Sequence, residues 1–250
     1  MPLTLLPQAK QLTPSAPGGQ MDGRNGIRAC VWHTVEAPYS ADVDSMAAYL
    51  IRSGFEPHIV WHPVTGELRQ LLPANVAGRA LKNDGDLRTN RVGQIRIQIE
   101  VVGQAAHPFT DTPMAGRSAL IAWLDALGIP HAWPFGPLLP YPQSYGTGNG
   151  TRDLTTYLTR SGHMGHSNVP GNDHGDPGAI SQTKLVPPKP TTPKDDDMTL
   201  DEFKAAIKSD PELRRDLATA VWGYANPSLT SKDAYAHLLT AGPVAGDKAP

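Results

Sequence analysis

The segment GHSNVPGNDHGDPG, residues 165–178, carries two histidines and two aspartates among glycines, prolines and asparagines. It contains no apolar run that would bury them, and an ionisable side chain that is buried without a partner is costly. We therefore expect this segment to be a surface loop, and surface loops often carry the residues that bind or react. Imidazoles and carboxylates suit metal binding or proton transfer.

His33 is a polar residue in an otherwise apolar, strand-like segment, between Trp32 and Thr34. One interpretation is a strand histidine that is held by a single hydrogen bond. Taken with His166 and Asp176, however, it completes a set of two imidazoles and one carboxylate. Such a set is typical of catalytic zinc sites, because three protein ligands leave one position open for water. The sequence thus predicts Zn²⁺ as the cofactor, although sites of this type also accept other divalent ions.

Glu100 stands at the end of an isoleucine-rich strand pattern, where a free carboxylate is costly unless it has a partner or a task. A structural ion pair is one interpretation. A general base beside a metal-activated water is the other. The spacing alone leaves both open.

Alternating and helical patterns predict the elements that must position these residues. Strands are expected at 26–34 and 94–102, with a hairpin of 59–61 and 67–72 that turns near Thr65-Gly66. Helices are expected from Val43 to Gly54, from an N-cap and N1 pair at Thr112-Pro113 to Gly128, and over 152–160. The prediction is an α/β (α+β) fold, with a mixed central β-sheet flanked by helices.

Composition excludes several classes of protein. Lys and Arg number 22 against 24 Asp and Glu, with no basic block, which argues against nucleic acid as a partner. The sequence contains no stretch of about 18 apolar residues, so it predicts no membrane-spanning helix. Its start is interrupted by prolines and does not resemble a secretory signal.

Cys30 is the only cysteine, so no internal disulfide is possible. Because residues three apart on a strand face opposite sides, Cys30 is expected to be a small buried apolar group rather than a partner of His33.

A proline-rich and then acidic run at 186–197 predicts an extended linker. It separates a large domain, residues 1–185, from a small helical bundle at 198–241 that is followed by a flexible tail at 242–250. Two capping boxes and an Asp-Pro helix start predict three helices in the bundle. We expect their apolar residues to form a core, with a ligand-binding face as the alternative.

Four motifs, in this order, resemble the zinc-dependent N-acetylmuramoyl-L-alanine amidases of the type-2, peptidoglycan-recognition-protein-like family, and phage endolysins in particular. They are VWHT at 31–34, PHIVW at 57–61 with TGELRQ at 65–70, IQIEVVG at 97–103, and GH at 165–166 with DPG at 176–178. The resemblance covers about residues 26–182.

The resemblance implies that His33, His166 and Asp176 bind zinc and that Glu100 is the catalytic acid and base. Many members have a lysine two residues before the aspartate ligand, thought to steady the oxyanion; His174 stands there in this chain. The family often has a tyrosine where this chain has Pro57, a difference that fits the branch that uses the glutamate. It often has a histidine where this chain has Arg79.

The implied partner is bacterial peptidoglycan, in which the bond cleaved joins N-acetylmuramic acid to L-alanine of the stem peptide. His58, Arg79 and Asn168 are the expected substrate-binding residues, and the proline- and glycine-rich stretch 130–150 is expected near the substrate groove. As a phage endolysin, the chain would be made in the host cytoplasm and would act on the cell wall after release, as a monomer.

Two other functions fit the same sequence. Relatives that have lost a zinc ligand bind wall fragments without cutting them, but all three ligand positions are filled here. A virion-associated structural protein is the second alternative, which the helical C-terminal bundle leaves open.

Overall fold

A computed structural model describes residues 4–148 and 150–189, and a mixed, six-stranded β-sheet forms the centre of this region. The strand order is β1-β4-β3-β5-β2-β6. The strands are β1 Lys10–Gln11, β2 Arg28–Thr34, β3 Ile59–Trp61, β4 Leu68–Gln70, β5 Ile95–Val101 and β6 Gly162–Gly165. β3, β5, β2 and β6 are parallel, whereas β4 pairs with β3 as an antiparallel hairpin. The predicted mixed sheet and the predicted hairpin are both confirmed.

The register of the two central strands brings together two residues that are distant in the sequence. β2 and β5 pair in parallel with His33 beside Glu100, so both side chains lie on the same face of the sheet. Both residues are next to the carboxyl ends of their strands. In open α/β sheets, ligands bind outside this edge.

The part of the chain that the structure describes has four α-helices: α1 Val43–Ser53, α2 Arg117–Ala126, α3 Leu154–Thr159 and α4 Gln182–Leu185. Helix α2 packs on the face of the sheet that carries Cys30, Trp32 and the odd-numbered residues of β5. Helices α1 and α3 contribute to two smaller clusters that contain Val60 and Val31. Helices therefore cover both faces, and Cys30 is fully buried as predicted.

Because both faces of the sheet are covered, β5 has no exposed face. The alternation predicts a polar face, but all seven residues of the strand are buried. The Arg96 guanidinium lies 4.0 Å from the centre of the Tyr157 ring and donates to the carbonyl of Val92. Gln98 accepts from the Ala80 amide and donates to Asn90. These polar groups tolerate burial because each has a partner.

Helix α1 begins at Val43 and ends before Gly54, as predicted, and both ends are capped. The Asp42 carboxylate accepts a hydrogen bond from the Ser45 amide, which satisfies one of the unpaired donors of the first turn. Gly54 ends the helix in the left-handed region at φ 74°. Tyr49 and Leu50 of α1 line the same cleft as Glu100.

The predicted start of the second helix at Thr112-Pro113 is wrong. Residues Phe109–Asp111 form a single 3₁₀ turn, and Met114 and Gly116 then take positive φ angles of 48° and 81°. No right-handed helix passes through such residues, so α2 begins only at Arg117.

The third predicted helix is confirmed as α3, within narrower bounds. The strand that follows it, β6, was not predicted, because GHMG has neither strand propensity nor alternation. This strand pairs with β2 and leads directly into His166.

The end of the described region remains attached to α2. Val186 is buried, the Pro187 carbonyl lies 2.6 Å from Nδ1 of His131, and Lys189 pairs with Asp125. Residues 1–189 form one structural unit. Most of the predicted linker, the C-terminal helical bundle and the tail lie outside the described residues. Among the described helices, none has the length and apolar character that a membrane span requires.

Candidate metal centre

Three side chains converge at the carboxyl edge of the sheet. His33 is the penultimate residue of β2, His166 follows β6 directly, and Asp176 returns from the loop beyond it. Nδ1 of His33 lies 3.0 Å from Nδ1 of His166, and Nδ1 of His166 lies 3.1 Å from Oδ1 of Asp176. Nδ1 of His33 lies 3.5 Å from Oδ2 of Asp176. The group qualifies as a possible metal site.

These separations fit the demands of a metal ion. Four ligands at bond lengths of about 2.0–2.1 Å in a tetrahedron lie about 3.3 Å from one another. The three measured separations, 3.0, 3.1 and 3.5 Å, fall around that value. Two bare imidazole lone pairs would repel at 3.0 Å, so a hydrogen or a cation must lie between the two rings. The donor set therefore fits zinc.

The loop is more buried than the sequence suggests. His33, His166 and Asp176 are only 1%, 5% and 5% exposed, so the expectation of a surface loop is wrong for the residues that matter most. Its polar groups are buried because they have partners within the fold. The Asp176 carboxylate accepts from the Thr34 amide and its carbonyl accepts from the Ser167 amide. At Gly178, at φ 71°, a Cβ would collide with the Ala105 carbonyl, so the loop closes on a residue that only glycine fits.

Burial and mutual charge set the protonation of the three groups. Burial, together with the neighbouring His166, lowers the pKa of His33 to about 4. Burial acts in the same direction on His166, but the Asp176 carboxylate outweighs it and raises the pKa of His166. Burial would raise the pKa of Asp176, yet the His166 imidazole holds it well below its usual range. The carboxylate is therefore ionised, as a ligand must be.

Glu100 lies beside the cluster and does not belong to its closest contacts. Its Oε1 is 3.7 Å from Nδ1 of His33, and it is 8% exposed. Oε2 is buried and has no hydrogen-bond partner among the described residues. Burial raises the pKa of Glu100 well above its usual range, and the carboxylates of Asp176 and Glu36 raise it further. A cation at the cluster would act in the opposite direction. No cationic partner of the kind a structural ion pair needs is found for Glu100 in the described region, apart from His33.

His174 lies at the mouth of the site. Its ring stacks on that of His166, with centroids 4.8 Å apart, and its side chain is 66% exposed. Nδ1 of His174 is 3.7 Å from Oδ1 of Asp176. The ring can therefore reach both the cluster and a bound molecule.

The cluster opens into a cleft of about 580 Å³. Glu100, His166, His174 and Asp176 lie at one end of its lining. The other walls include two exposed aromatic side chains of the α1 region, Tyr49 and Phe55, and two cationic residues, Arg79 and Lys82.

Of the predicted substrate-binding residues, Arg79 lines the cleft, whereas His58 and Asn168 do not. Arg79 lines the cleft, where its Nη1 lies 2.8 Å from Oε2 of the buried Glu56. His58 lies at the opposite end of β3 from this edge and is fully buried, with both ring nitrogens bonded to backbone groups. Asn168 is 1% exposed and accepts from the Gly165 amide, so it shapes the turn after β6. Neither His58 nor Asn168 is available to a molecule in the cleft.

Residues 140–146, within the stretch expected near the substrate groove, pack against the loop of the cluster. The Ser144 hydroxyl donates to the Gly175 carbonyl, and the Gly146 amide donates to the Asp173 carbonyl. This stretch therefore supports the back of the loop.

Two residues with no predicted role hold the loop in place. Asn172 bonds to the ring of His166. The guanidinium of Arg152 donates to the carbonyls of His166, Val169 and His174. Asn172 stands inside the segment that the sequence singles out, whereas nothing in the sequence around Arg152 distinguishes it from a surface arginine.

No protein-family model and no curated protein matches the chain. Among solved structures, it is similar to the endolysin N-acetylmuramoyl-L-alanine amidase LysCS from Clostridium intestinale URNW, with 13% identity, a TM-score of 0.41, and coverage of 73% of this chain and 95% of the other. It is also similar to the Staphylococcus aureus hydrolase AmiA in complex with its ligand, with 15% identity, a TM-score of 0.40, and coverage of 69% of this chain and 74% of the other. A third similar structure is a selenomethionine derivative of AmpD, with 17% identity, a TM-score of 0.43, and coverage of 73% of this chain and 94% of the other. With identities this low, the residues of the cluster themselves must carry any functional assignment.

Proposed function

We propose that this chain is a zinc-dependent amidase that hydrolyses the bond between N-acetylmuramic acid and L-alanine in bacterial peptidoglycan. The observation that carries the proposal is the buried cluster of His33, His166 and Asp176, with the Glu100 carboxylate beside it at the end of an open cleft. The order of motifs along the sequence supplies the substrate class. The biological role we propose is lysis of the bacterial host by a phage.

His33, His166 and Asp176 would hold the ion. Three protein ligands leave a position open, which is the arrangement of a catalytic rather than a structural zinc site. When bound, zinc supplies Lewis acidity and brings the pKa of water towards neutrality.

Glu100 would transfer a proton from the attacking water to the leaving nitrogen. Its Oε2 atom is buried and has no partner in the described region, so it is free to take a proton from the attacking water. The same carboxyl group then returns that proton to the nitrogen of L-alanine as the amide bond breaks. The burial that raises the pKa of Glu100 favours holding the proton until it is delivered, whereas a cation bound at the cluster would act in the opposite direction and favour the ionised base.

His174 would stabilise the charge that develops on the carbonyl oxygen. Its exposed ring lies at the mouth of the site and stacks on His166, which orients it towards the cleft. A donor in this position is worth on the order of 100-fold or more in rate.

The cleft walls would orient the substrate. Tyr49 and Phe55 offer apolar surface to a sugar ring or an acyl group, and Lys82 offers positive charge to the carboxylates of a stem peptide. Arg79, whose charge is paired with Glu56, offers its remaining N–H donors. The cleft thus presents both kinds of contact that a muramoyl peptide needs.

Mass spectrometry of a cell-wall digest tests the proposal. The wild-type chain with zinc should release stem peptides that begin with a free L-alanine amino group and leave muramic acid intact. Glu100→Ala and Glu100→Gln should lower the rate by about 100-fold or more, whereas Glu67→Gln, at an exposed carboxylate of the hairpin, should not.

Other outcomes would redirect the assignment. Cleavage at a sugar linkage or within the peptide would replace the proposed substrate bond. Retained wall binding without any cleavage would favour the non-catalytic binding module. Finding the chain as a stoichiometric part of purified phage particles would favour the virion-associated protein over an endolysin.

A further inference from the structure

One ring nitrogen of His166 faces the cluster, and the other faces a single side chain. Nδ1 points towards Asp176 and His33, as described above. Nε2 lies 3.0 Å from Oδ1 of Asn172, at an interior position where Asn172 is 1% exposed. The contact with Asn172 therefore governs which nitrogen of His166 carries hydrogen.

The Asn172 side-chain amide is held in one orientation by the backbone. Its Nδ2 donates to the carbonyls of Lys82 and Pro170, both at 2.9 Å. Its Oδ1 accepts from the Lys82 amide at 2.9 Å. Rotating the amide by 180° would put Nδ2 against an N–H donor and Oδ1 against two carbonyls, so the network permits only one orientation.

This orientation decides the tautomer of His166. Because Oδ1 of Asn172 is an acceptor only, Nε2 of His166 must carry the hydrogen and donate it. The lone pair of Nδ1 is then directed at the cluster, as a metal ligand requires. Partners of this kind, on the far side of a ligating histidine, fix the ring orientation and the tautomer.

The same amide joins two parts of the cleft. Lys82 belongs to the wall of the cleft, and its backbone N–H and carbonyl are both bonded to Asn172. The ring of His166 and the wall at Lys82 are therefore held by a single side chain.

We propose that Asn172 is a positioning residue for the metal site: it holds His166 in the Nε2–H form and ties that ring to the cleft wall at Lys82. This inference rests on the proposed zinc function, and its test is chosen so that either can fail alone. The Asn172→Ala variant should bind Zn²⁺ about 10- to 100-fold more weakly than the wild type, measured by competition with a chromophoric chelator.

Asn90→Ala is the matched control. The Asn90 side chain forms a similar pair of bonds with the backbone N–H and carbonyl of Leu81, one residue from Lys82, without touching His166. It should therefore leave zinc affinity unchanged. Asn172→Asp tests rescue, since a carboxylate still accepts from Nε2–H while losing both donations to carbonyls; it should retain more affinity than Asn172→Ala.

The ¹⁵N chemical shifts of the His166 ring in the metal-free protein give a readout that general destabilisation would not mimic. Wild type and Asn172→Asp should show hydrogen on Nε2, and Asn172→Ala a mixture of tautomers. Equal zinc affinity in wild type and Asn172→Ala, equal weakening in Asn90→Ala, or the absence of hydrogen from Nε2 in the wild type would each overturn the inference. If the wild type binds no zinc at all, the proposed function fails, and the tautomer alone decides the role of Asn172.

Discussion

Four buried histidines of the described region lie in three different kinds of environment. His33 and His166 face each other and a carboxylate. His163 accepts a hydrogen bond from the Trp32 indole and packs among aromatic rings. His58 accepts from the Gln98 amide at Nδ1 and donates to the Val76 carbonyl at Nε2. Only the first environment has the convergent donors that a metal needs; the other two are satisfied structural positions.

The environment of His58 predicts a pH-dependent stability. Burial lowers its pKa to about 4, from about 6.5 in an unfolded chain. Between these values the unfolded chain binds the extra proton, so the stability that neutral His58 contributes is complete above pH ~6.5 and is lost as the pH falls towards ~4. At pH ~5 the loss should be about 2 kcal/mol.

Urea unfolding of wild type and His58→Gln at pH ~7.5 and ~5 isolates this contribution, because the other titrating groups are common to both proteins. The variant should be the less stable protein at the higher pH, and the difference should shrink by about 2 kcal/mol at the lower. A difference that stays constant with pH would show that His58 does not titrate in this way.

At the residue scale, ligand types and strand periodicity proved most informative. Period-two alternation places Glu100 on the polar face of its strand and Cys30 opposite His33, and both placements are confirmed. The supporting residues could not be predicted, because their roles depend on backbone groups distant in sequence. Asn172 meets Lys82 across 90 positions, and no local pattern encodes that contact.

Among the elements, one arginine makes the most hydrogen bonds to the backbone in and beside the loop from β6 to Asp176. The Arg152 guanidinium donates to the carbonyls of Gly146, His166, Val169 and His174. Its planar array of donors can reach several carbonyls at once, which an ammonium group on a flexible stem cannot do. Arg152 therefore holds the segment that carries two of the cluster's residues.

Arg152→Lys should lower the free energy of unfolding by about 2 kcal/mol through lost hydrogen bonds, and weaken zinc binding by about tenfold through a displaced His166. Denaturant unfolding and chelator competition measure the two effects. Arg160→Lys is the matched control, since Arg160 is exposed just beyond α3. If Arg152→Lys unfolds and binds zinc like the wild type, the loop holds its shape without the arginine.

Element boundaries were predictable where capping chemistry is local. Asp42 and Gly54 delimit α1 as their types suggest. The start of α2 was not predictable, because the positive φ angles of Met114 and Gly116 override a favourable Thr-Pro pair. Gly116 approaches Gly66 of the hairpin closely, with no room for a Cβ, so a tertiary contact sets this boundary.

At the scale of the molecule, the apolar residues that stabilise the fold and the ionisable residues of the cluster lie on different parts of the sheet. The face under α2 holds the large apolar cluster, which includes Trp32, Trp61 and Phe109. The carboxyl edge of the central strands carries the ionisable groups and the cleft. A cluster of ionisable side chains that is costly to bury can be tolerated at this edge, because the core elsewhere supplies the stability.

For the residues beyond this unit, the sequence predicts a small helical bundle at 198–241, and we propose that this bundle binds the cell wall. We expect a chain that ends at Lys189, which keeps the contacts of Pro187 with His131 and of Lys189 with Asp125, to cleave soluble muropeptides at the rate of the full chain. It should bind sedimented walls at least about tenfold more weakly, since a second linked binding site commonly raises avidity by ~10²-fold or more. Co-sedimentation and a soluble-substrate assay on the same preparations measure both. Equal loss of binding and cleavage, together with a lower melting temperature, would instead make the C-terminal residues part of the catalytic fold.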